Sequence, residues 1–229
     1  MLKLTTDQGR EVTREAALLW SLLAVVDRRR QGSGRMVVMQ SHEASDLAAR
    51  HLANMGSRWA HVQAVGRLAD ALAAQGRVSN DVAAAAWLHD IGYAPELADT
   101  NFHPLDGAVY LQGLSVQANV VALVAHHTGA AYEAAERGLS GALAALPVPN
   151  PTDLEELNLL DLVIGPSGSP TSPSARLSEV LERYPTNDPV HRAVAVSRPV
   201  LLGGAEQARR RLRLTDEWPL SVTEGVFEA

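Results

Sequence analysis

Hydrophobic positions recur at helical spacing through most of the chain. Between residues 11 and 30, for example, Leu19, Leu22, Leu23 and Val26 lie three, four and seven positions apart, a pattern typical of an amphipathic helix. Similar segments, bounded by capping residues, glycine or proline, predict further helices over 41–54, 57–75, 79–90, from 103 onward, and over 116–127, 152–164, 175–184, 190–197 and 203–212. Residues 165–173, rich in Gly, Pro and Ser, predict a loop.

Composition supports a fold built from helices alone. Runs of alanine such as 83–86, with only 4% aromatic residues, favour closely packed helices over a β-sandwich. We therefore predict an all-α fold. A break at 31–34 divides the 229 residues into an N-terminal helical extension, 1–35, and a helical domain, 36–229. The apolar face of the 11–30 helix has two interpretations, packing on the main domain or association into a homodimer.

Several classes of protein are excluded or disfavoured by composition. The chain has no cysteine, which excludes disulfides, thiolate metal sites and cysteine nucleophiles. Its net charge of −6 makes a nucleic-acid partner unlikely, because electrostatic binding to phosphates needs a basic surface. No signal-peptide pattern and no apolar run of about 20 residues is present. We expect a cytoplasmic protein with no membrane partner.

The candidate chemistry lies in a group of histidines and aspartates. Five of the 8 histidines fall within one stretch and are joined by an aspartate: His61, His89-Asp90, His103 and His126-His127. Imidazole nitrogen and carboxylate oxygen together suit Mn, Fe, Co, Ni or Zn. His89 and Asp90 end an otherwise apolar helix, where burial is costly unless a partner compensates them. A metal ion or a mutual hydrogen-bond network would each do so.

These motifs, in this order, resemble the HD-domain superfamily of metal-dependent phosphohydrolases. The resemblance covers about 58–161 and begins with His61. It rests on four further pieces of sequence, in the family's order: Leu88-His89-Asp90-Ile91-Gly92, Phe102-His103-Pro104-Leu105-Asp106-Gly107-Ala108, the pair His126-His127, and Asp161. It implies an HD-like helical bundle holding one or two divalent transition metal ions, Mn, Fe, Co or Ni, with Mg as an alternative. The implied activity is hydrolysis of a small phosphorylated substrate, with a nucleotide as one candidate.

The resemblance also implies a role for each residue. The metal ligands would be His61, His89, Asp90 and Asp161 for one ion, and Asp90, as a bridge, with His103 and His126 for a second. His127 would be either a further ligand or the proton donor to the leaving group. Asp90 and His127 are therefore candidate catalytic residues. Arg58 is a third, because it lies three residues before His61 on nearly the same helix face and could hold a phosphate.

Three departures from the family pattern keep other functions open. Tyr93 stands where many two-metal members have lysine, Ser57 stands where some three-metal relatives have an acidic residue, and Thr128 follows the histidine pair in place of a "GYP" signature. Two alternatives therefore remain beside the phosphohydrolase. One is an HD-fold mixed-valence di-iron oxygenase, whose metal centre the same ligand set would serve equally well. The other is a nucleotide-sensing binding domain without turnover.

Overall fold

The computed structural model describes residues 36–220, and this part of the chain is helical without a β-strand. Its helices are α1 (Ser41–Leu52), α2 (Ser57–Ala74), α3 (Asn80–Leu88), α4 (His103–Gly113), α5 (Ala118–His126), α6 (Ala130–Arg137), α7 (Ser140–Ala144), α8 (Pro151–Leu162), α9 (Pro173–Arg183) and α10 (Pro189–Arg211). Two 3₁₀ turns, Ile91–Tyr93 and His127–Gly129, follow α3 and α5. The predicted all-α class is confirmed. The predicted helix at 11–30 lies outside the described residues.

Helix α3 is the centre of the bundle. It contacts α1, α2, α5 and α8, and every residue from Val82 to Leu88 is buried. A helix that is apolar on all sides can only be stable inside a domain. Its alanines let neighbouring helices approach closely, while Trp87 lies directly over Gly66 of α2, where a Cβ would fall 2.3 Å from the indole ring. The chain segment that leaves this central helix, His89-Asp90, is therefore held in the interior.

The sequence predicted most helix boundaries to within a few residues, with three differences. Gln40, not Ser41, caps α1, through a reciprocal pair of hydrogen bonds with the backbone and side chain of Glu43. Residues 130–137 and 140–144 form two short helices between those predicted over 116–127 and 152–164, an interval for which the sequence pattern predicted no helix. The two helices predicted over 190–197 and 203–212 are one continuous helix, α10, which includes Pro199.

Helix α10 continues past Pro199 because one of its faces is buried. Ser197, Leu201, Ala205 and Ala208 recur at helical spacing on that face, and α10 packs against α6, α8 and α9. This burial offsets the backbone hydrogen bond that proline removes. Between residues 36 and 220, no helix is both long and apolar enough to cross a membrane.

Candidate metal centre

The ends of five helices bring the candidate ligands together. His61 lies in the second turn of α2, His89 and Asp90 directly follow α3, and His103 opens α4. His127 follows α5, and Asp161 lies one residue before the end of α8. His61, His89, Asp90, His127 and Asp161 are all buried, and His103 is half-buried. Residues separated by as many as 100 positions therefore meet at one point of the bundle.

Two groups of donor atoms share the carboxylate of Asp90. The first contains His61, His89 and Asp90: the two Nε2 atoms are 3.3 Å apart, and His89 Nε2 is 3.4 Å from Asp90 Oδ2. Asp161 adjoins this group, with its Oδ1 3.0 Å from His61 Nε2 and 3.9 Å from His89 Nε2. Asp90 thus presents one oxygen, Oδ2, to this side of the centre.

The second group contains Asp90, His103 and His127. Asp90 Oδ1 is 3.3 Å from His103 Nε2 and 4.0 Å from His127 Nε2, and the two imidazole Nε2 atoms are 3.3 Å apart. The two oxygens of one carboxylate therefore face two different sets of imidazoles. This is the arrangement that a carboxylate bridging two cations requires.

Backbone carbonyls fix the orientation of three imidazoles. The Nδ1 atoms of His61, His89 and His127 donate to carbonyl oxygens of Gly165, Ala86 and Val124, at 3.1, 2.8 and 2.8 Å. Because a carbonyl can only accept, each Nδ1 carries the proton, and a neutral ring then has its lone pair on Nε2. Metal-binding histidines are commonly held in this way.

A centre built like this needs a positive charge. In the neutral form, His61 and His89 would point two lone pairs at each other across 3.3 Å, beside the anionic oxygen of Asp161. Repulsion between these donors disappears when a metal ion or a proton lies among them. The donor set, imidazole nitrogens with two aspartates and no thiolate, fits a divalent transition metal.

The electrostatics of the centre follow from burial and these charges. Burial by itself raises the pKa of Asp90, but the charges of Arg58, His89 and His103 hold it well below its usual range. Burial lowers the pKa of His89, yet Asp90 and Asp161 outweigh it and raise this pKa to about 9. Without a metal ion, His89 is therefore protonated at neutral pH and supplies the positive charge of the centre.

Burial dominates at the second group. It lowers the pKa of His103 well below the ordinary value, against the opposing charge of Asp90. It also lowers the pKa of His127, where the neighbouring His89 acts in the same direction. These two imidazoles are therefore neutral at pH 7, and because the Nδ1–H of His127 donates to a carbonyl, the lone pair of that ring is on Nε2. Neutral imidazole is the form that binds a metal.

A protein-family comparison agrees with this geometry. The HD-domain model matches residues 58–177, just over half of the chain. The chain belongs to the HD-domain family. Neither a curated protein nor a solved structure shows a significant match. HD domains bind divalent metals, and this HD domain has a buried His/Asp cluster able to hold one.

The HD domain brings together most of the predicted site residues, but not His126. His126 is the last residue of α5 and belongs to neither donor group. Among residues 36–220, its Nε2 has no hydrogen-bond partner. His127 takes the place in the second group that the sequence analysis gave to His126. The next residue, Thr128, has left-handed backbone angles, φ 44° and ψ 44°, so α5 is already broken where His127 turns inward.

Thr128 and Asp106 support the centre from outside it. Thr128 Oγ1 donates to Asp161 Oδ2, and its backbone N donates to Asn158 Oδ1 at 2.6 Å. Asp106 accepts from the backbone N and the hydroxyl of Thr100, at 3.0 and 2.7 Å. Thr128 therefore orients Asp161, whereas Asp106 fixes the loop that leads into α4.

Arg58 and Tyr93 form the wall of the centre that faces solvent. Arg58 Nη1 is 2.5 Å from Asp90 Oδ2, and its guanidinium lies 4.0 Å above the ring of Tyr93. The other face of that ring stacks on His103, with centroids 4.0 Å apart and planes 17° apart. Tyr93 thus separates the guanidinium from the imidazole and holds both in place.

A cleft opens from the metal centre and extends to α9. Its lining includes Arg58, Asp90, Tyr93, His103, His127 and Asp161 on the side of the centre. Arg176, Leu177, Val180 and Arg183 of α9 form the facing wall. This wall was not predicted from the sequence. The sequence indicates only that the helix is amphipathic, and this pattern does not show what the apolar face contacts.

Proposed function

We propose that this HD domain is a metal-dependent phosphohydrolase that cleaves a small phosphate ester. One observation carries the proposal: two donor groups share the carboxylate of Asp90 at the inner end of a cleft that Arg58 also lines. Two divalent ions in such a site would supply a hydroxide nucleophile at neutral pH and would stabilise charge on the phosphate oxygens. Their ligands would be His61, His89, Asp90, His103 and His127, with Asp161 beside the first group.

Two residues at the inner end of the cleft, Asp90 and Arg58, have distinct tasks in this reaction. Asp90 orients both halves of the centre, because each of its oxygens faces a different group. Arg58 already lies in the cleft with its guanidinium on Asp90. When the carboxylate is engaged by cations, that guanidinium can turn its remaining N–H groups to a phosphate oxygen, to which arginine binds in bidentate fashion. Arg58 thus positions the ester beside Asp90.

His127 acts as a ligand and not as the proton donor. Its Nδ1 proton is committed to the carbonyl of Val124, and burial lowers the pKa of the ring. Its Nε2 therefore has no proton to give to a leaving group at neutral pH. It lies instead 3.3 Å from His103 Nε2, with which it shares the second donor group.

The cleft supports a small substrate over a polymer. Both of its walls belong to the same bundle, and its lining includes the buried residue Asp90. Apolar side chains line the part that is farther from the metal centre, including Leu177, Val180 and Val194. A phosphate at the inner end would therefore be followed by a compact organic group in an apolar environment, as in a nucleotide or a comparable ester.

The test is release of phosphate by protein that has been stripped of metal and reloaded separately with Mn, Fe, Co, Ni or Mg. A panel of small phosphate esters should yield metal-dependent turnover that Asp90→Ala abolishes. Asp46→Ala, which removes an exposed carboxylate of α1, should keep full activity. Silence with every metal would overturn the proposal. A mixed-valence EPR signal in the iron-loaded protein would then point to the di-iron oxygenase, and tight binding of a nucleotide without turnover to a sensor.

A further inference from the structure

The wall of the cleft formed by α9 combines two arginines with apolar side chains. Arg176, Leu177, Val180 and Arg183 all line the cleft. Arg176, Val180 and Arg183 recur at spacings of four and three residues on one face of the helix, and Leu177 lies at the edge of that face. Leu177 is fully buried there. The two guanidiniums thus lie at either end of an apolar strip.

One carboxylate serves both of these arginines. Glu179 is three residues after Arg176 and four before Arg183, and it accepts hydrogen bonds from both guanidiniums. Arg183 Nε also donates to it at 2.7 Å. In the described part of the chain, the structure shows no other carboxylate in an ion pair with either arginine. Two positive charges against one negative charge give this wall a surplus positive charge.

At the Arg176 end of the wall the positive charge is largely shielded from solvent, whereas Arg183 at the other end is exposed. The side chain of Arg176 is only 11% exposed, although it carries a full charge. The other acidic groups along the cleft are already engaged: Glu133 pairs with Arg137, Asp90 with Arg58, and Asp161 with His61. A half-desolvated guanidinium with a shared partner is a strong site for an added anion.

We propose that Arg176 and Arg183 form a second anion subsite, which binds an anionic group on the leaving group of the substrate. The inference rests on the proposed function, because the first anionic group is the phosphate at the metal centre. It narrows the substrate class to small phosphate esters whose leaving group carries a carboxylate or a further phosphate next to an apolar segment. Val180 contacts that segment between the two anion sites, and the buried Leu177 supports this part of the wall.

Equilibrium binding of phosphonates to the metal-loaded protein tests this without turnover. ω-Phosphonocarboxylates with two to four methylene groups are each compared with the alkylphosphonate of the same length. At one length the carboxylate should tighten binding at least tenfold, a typical gain for one charge-assisted hydrogen bond. ω-Bisphosphonates of the same lengths show whether a phosphate is preferred to a carboxylate.

Variants of α9 connect this gain to the arginines. Arg176→Gln and Arg183→Gln should each reduce the carboxylate-dependent gain several-fold and leave the affinity for the alkylphosphonate unchanged. Glu179→Gln should increase the gain, because it removes the carboxylate that competes for both guanidiniums. Arg210→Gln is the matched control, since Arg210 also pairs with a glutamate four residues away, Glu206, but lies outside the cleft.

The outcomes separate this inference from the proposed function. A gain near one at every length, or a gain that both arginine variants retain, overturns the subsite, even if p-nitrophenyl phosphate is hydrolysed. A gain that disappears in the variants while no ester is hydrolysed supports the subsite and overturns the hydrolase. A failure to bind any of the phosphonates contradicts the subsite.

Discussion

Replacing Gly92 by alanine should separate the two halves of the metal centre. Gly92 lies in the 3₁₀ turn that follows Asp90 and packs directly on the start of α4. A Cβ at this position would lie 2.1 Å from the carbonyl oxygen of His103 and 2.6 Å from the backbone N of Gly107. Both neighbours are backbone atoms, so no side chain can rotate away. The φ of Gly92 is not in the left-handed region, so the backbone conformation does not require glycine here. Glycine is required because there is no space for a Cβ.

The size of the effect follows from the overlap. An ordinary van der Waals contact starts at 3.4 Å, so the turn and α4 must move apart by roughly 1 Å to accommodate the methyl group. Overpacking of this kind costs about 1–3 kcal/mol, occasionally more. In a chain of this size it lowers Tm by roughly 2–4 °C for each kcal/mol. The same movement separates Asp90 Oδ1 from His103 Nε2, now 3.3 Å apart.

Two measurements check this prediction. Urea unfolding in the presence of chelator gives the loss of stability, and elemental analysis after dialysis gives the metal retained per chain. Gly203→Ala is the matched control, because Gly203 lies inside α10 and no atom of the described residues lies within 4 Å of an added Cβ. That variant should gain up to about 1 kcal/mol from helix propensity. Wild-type stability and full metal content in Gly92→Ala would refute the reasoning.

Three further predictions concern individual groups of the centre. His127→Ala should reduce the metal retained per chain in elemental analysis and His126→Ala should not, because only His127 lies in a donor group; equal losses would contradict this assignment. Thr128→Val, which removes the hydroxyl that donates to Asp161, should cost about 1–3 kcal/mol in urea unfolding and Thr128→Ser much less, whereas equal stabilities would count against that contact. Without metal, protonated His89 stabilises the fold below its ordinary pKa of 6.5, and this contribution disappears as the pH rises through about 9. The unfolding free energy of chelated protein should therefore fall between pH 6.5 and 10, by up to about 3 kcal/mol, and a flat profile would show that His89 is neutral in the fold.

Much of the bundle could be predicted from the sequence because its signals are local. Caps and glycines mark the ends of α1, α2 and α3, and the apolar run 82–88 predicts a buried helix before His89-Asp90. Helix α10 was predicted as two helices because proline and glycine are local signals of a break. The buried face that continues it is a tertiary feature, and a single sequence does not show what that face will contact.

The assignment within the histidine pair shows where local reasoning ends. All residues from Val120 to Ala125 are buried, so the hydrophobic pattern of α5 does not indicate which face of the helix points to the centre. The direction of each imidazole depends on where the helix stops. It stops at His126, since the backbone of Thr128 is left-handed and the carbonyl of Val124 accepts from His127 Nδ1. None of these features has a counterpart in the spacing of the two histidines.

Tyr93 occupies the position after the HD motif glycine, where many two-metal HD domains have a lysine. The ring fills the space between Arg58 and His103 and is in van der Waals contact with both. A lysine at this position would place a second cation beside Arg58, and it would remove the flat surface that orients His103. Arg58 already lies on Asp90 at the inner end of the cleft, and the arginines of α9 line the facing wall. With tyrosine at position 93, the positive charge of the cleft therefore lies on two opposite walls, which is the distribution that the proposed ester, with an anion at each end, requires.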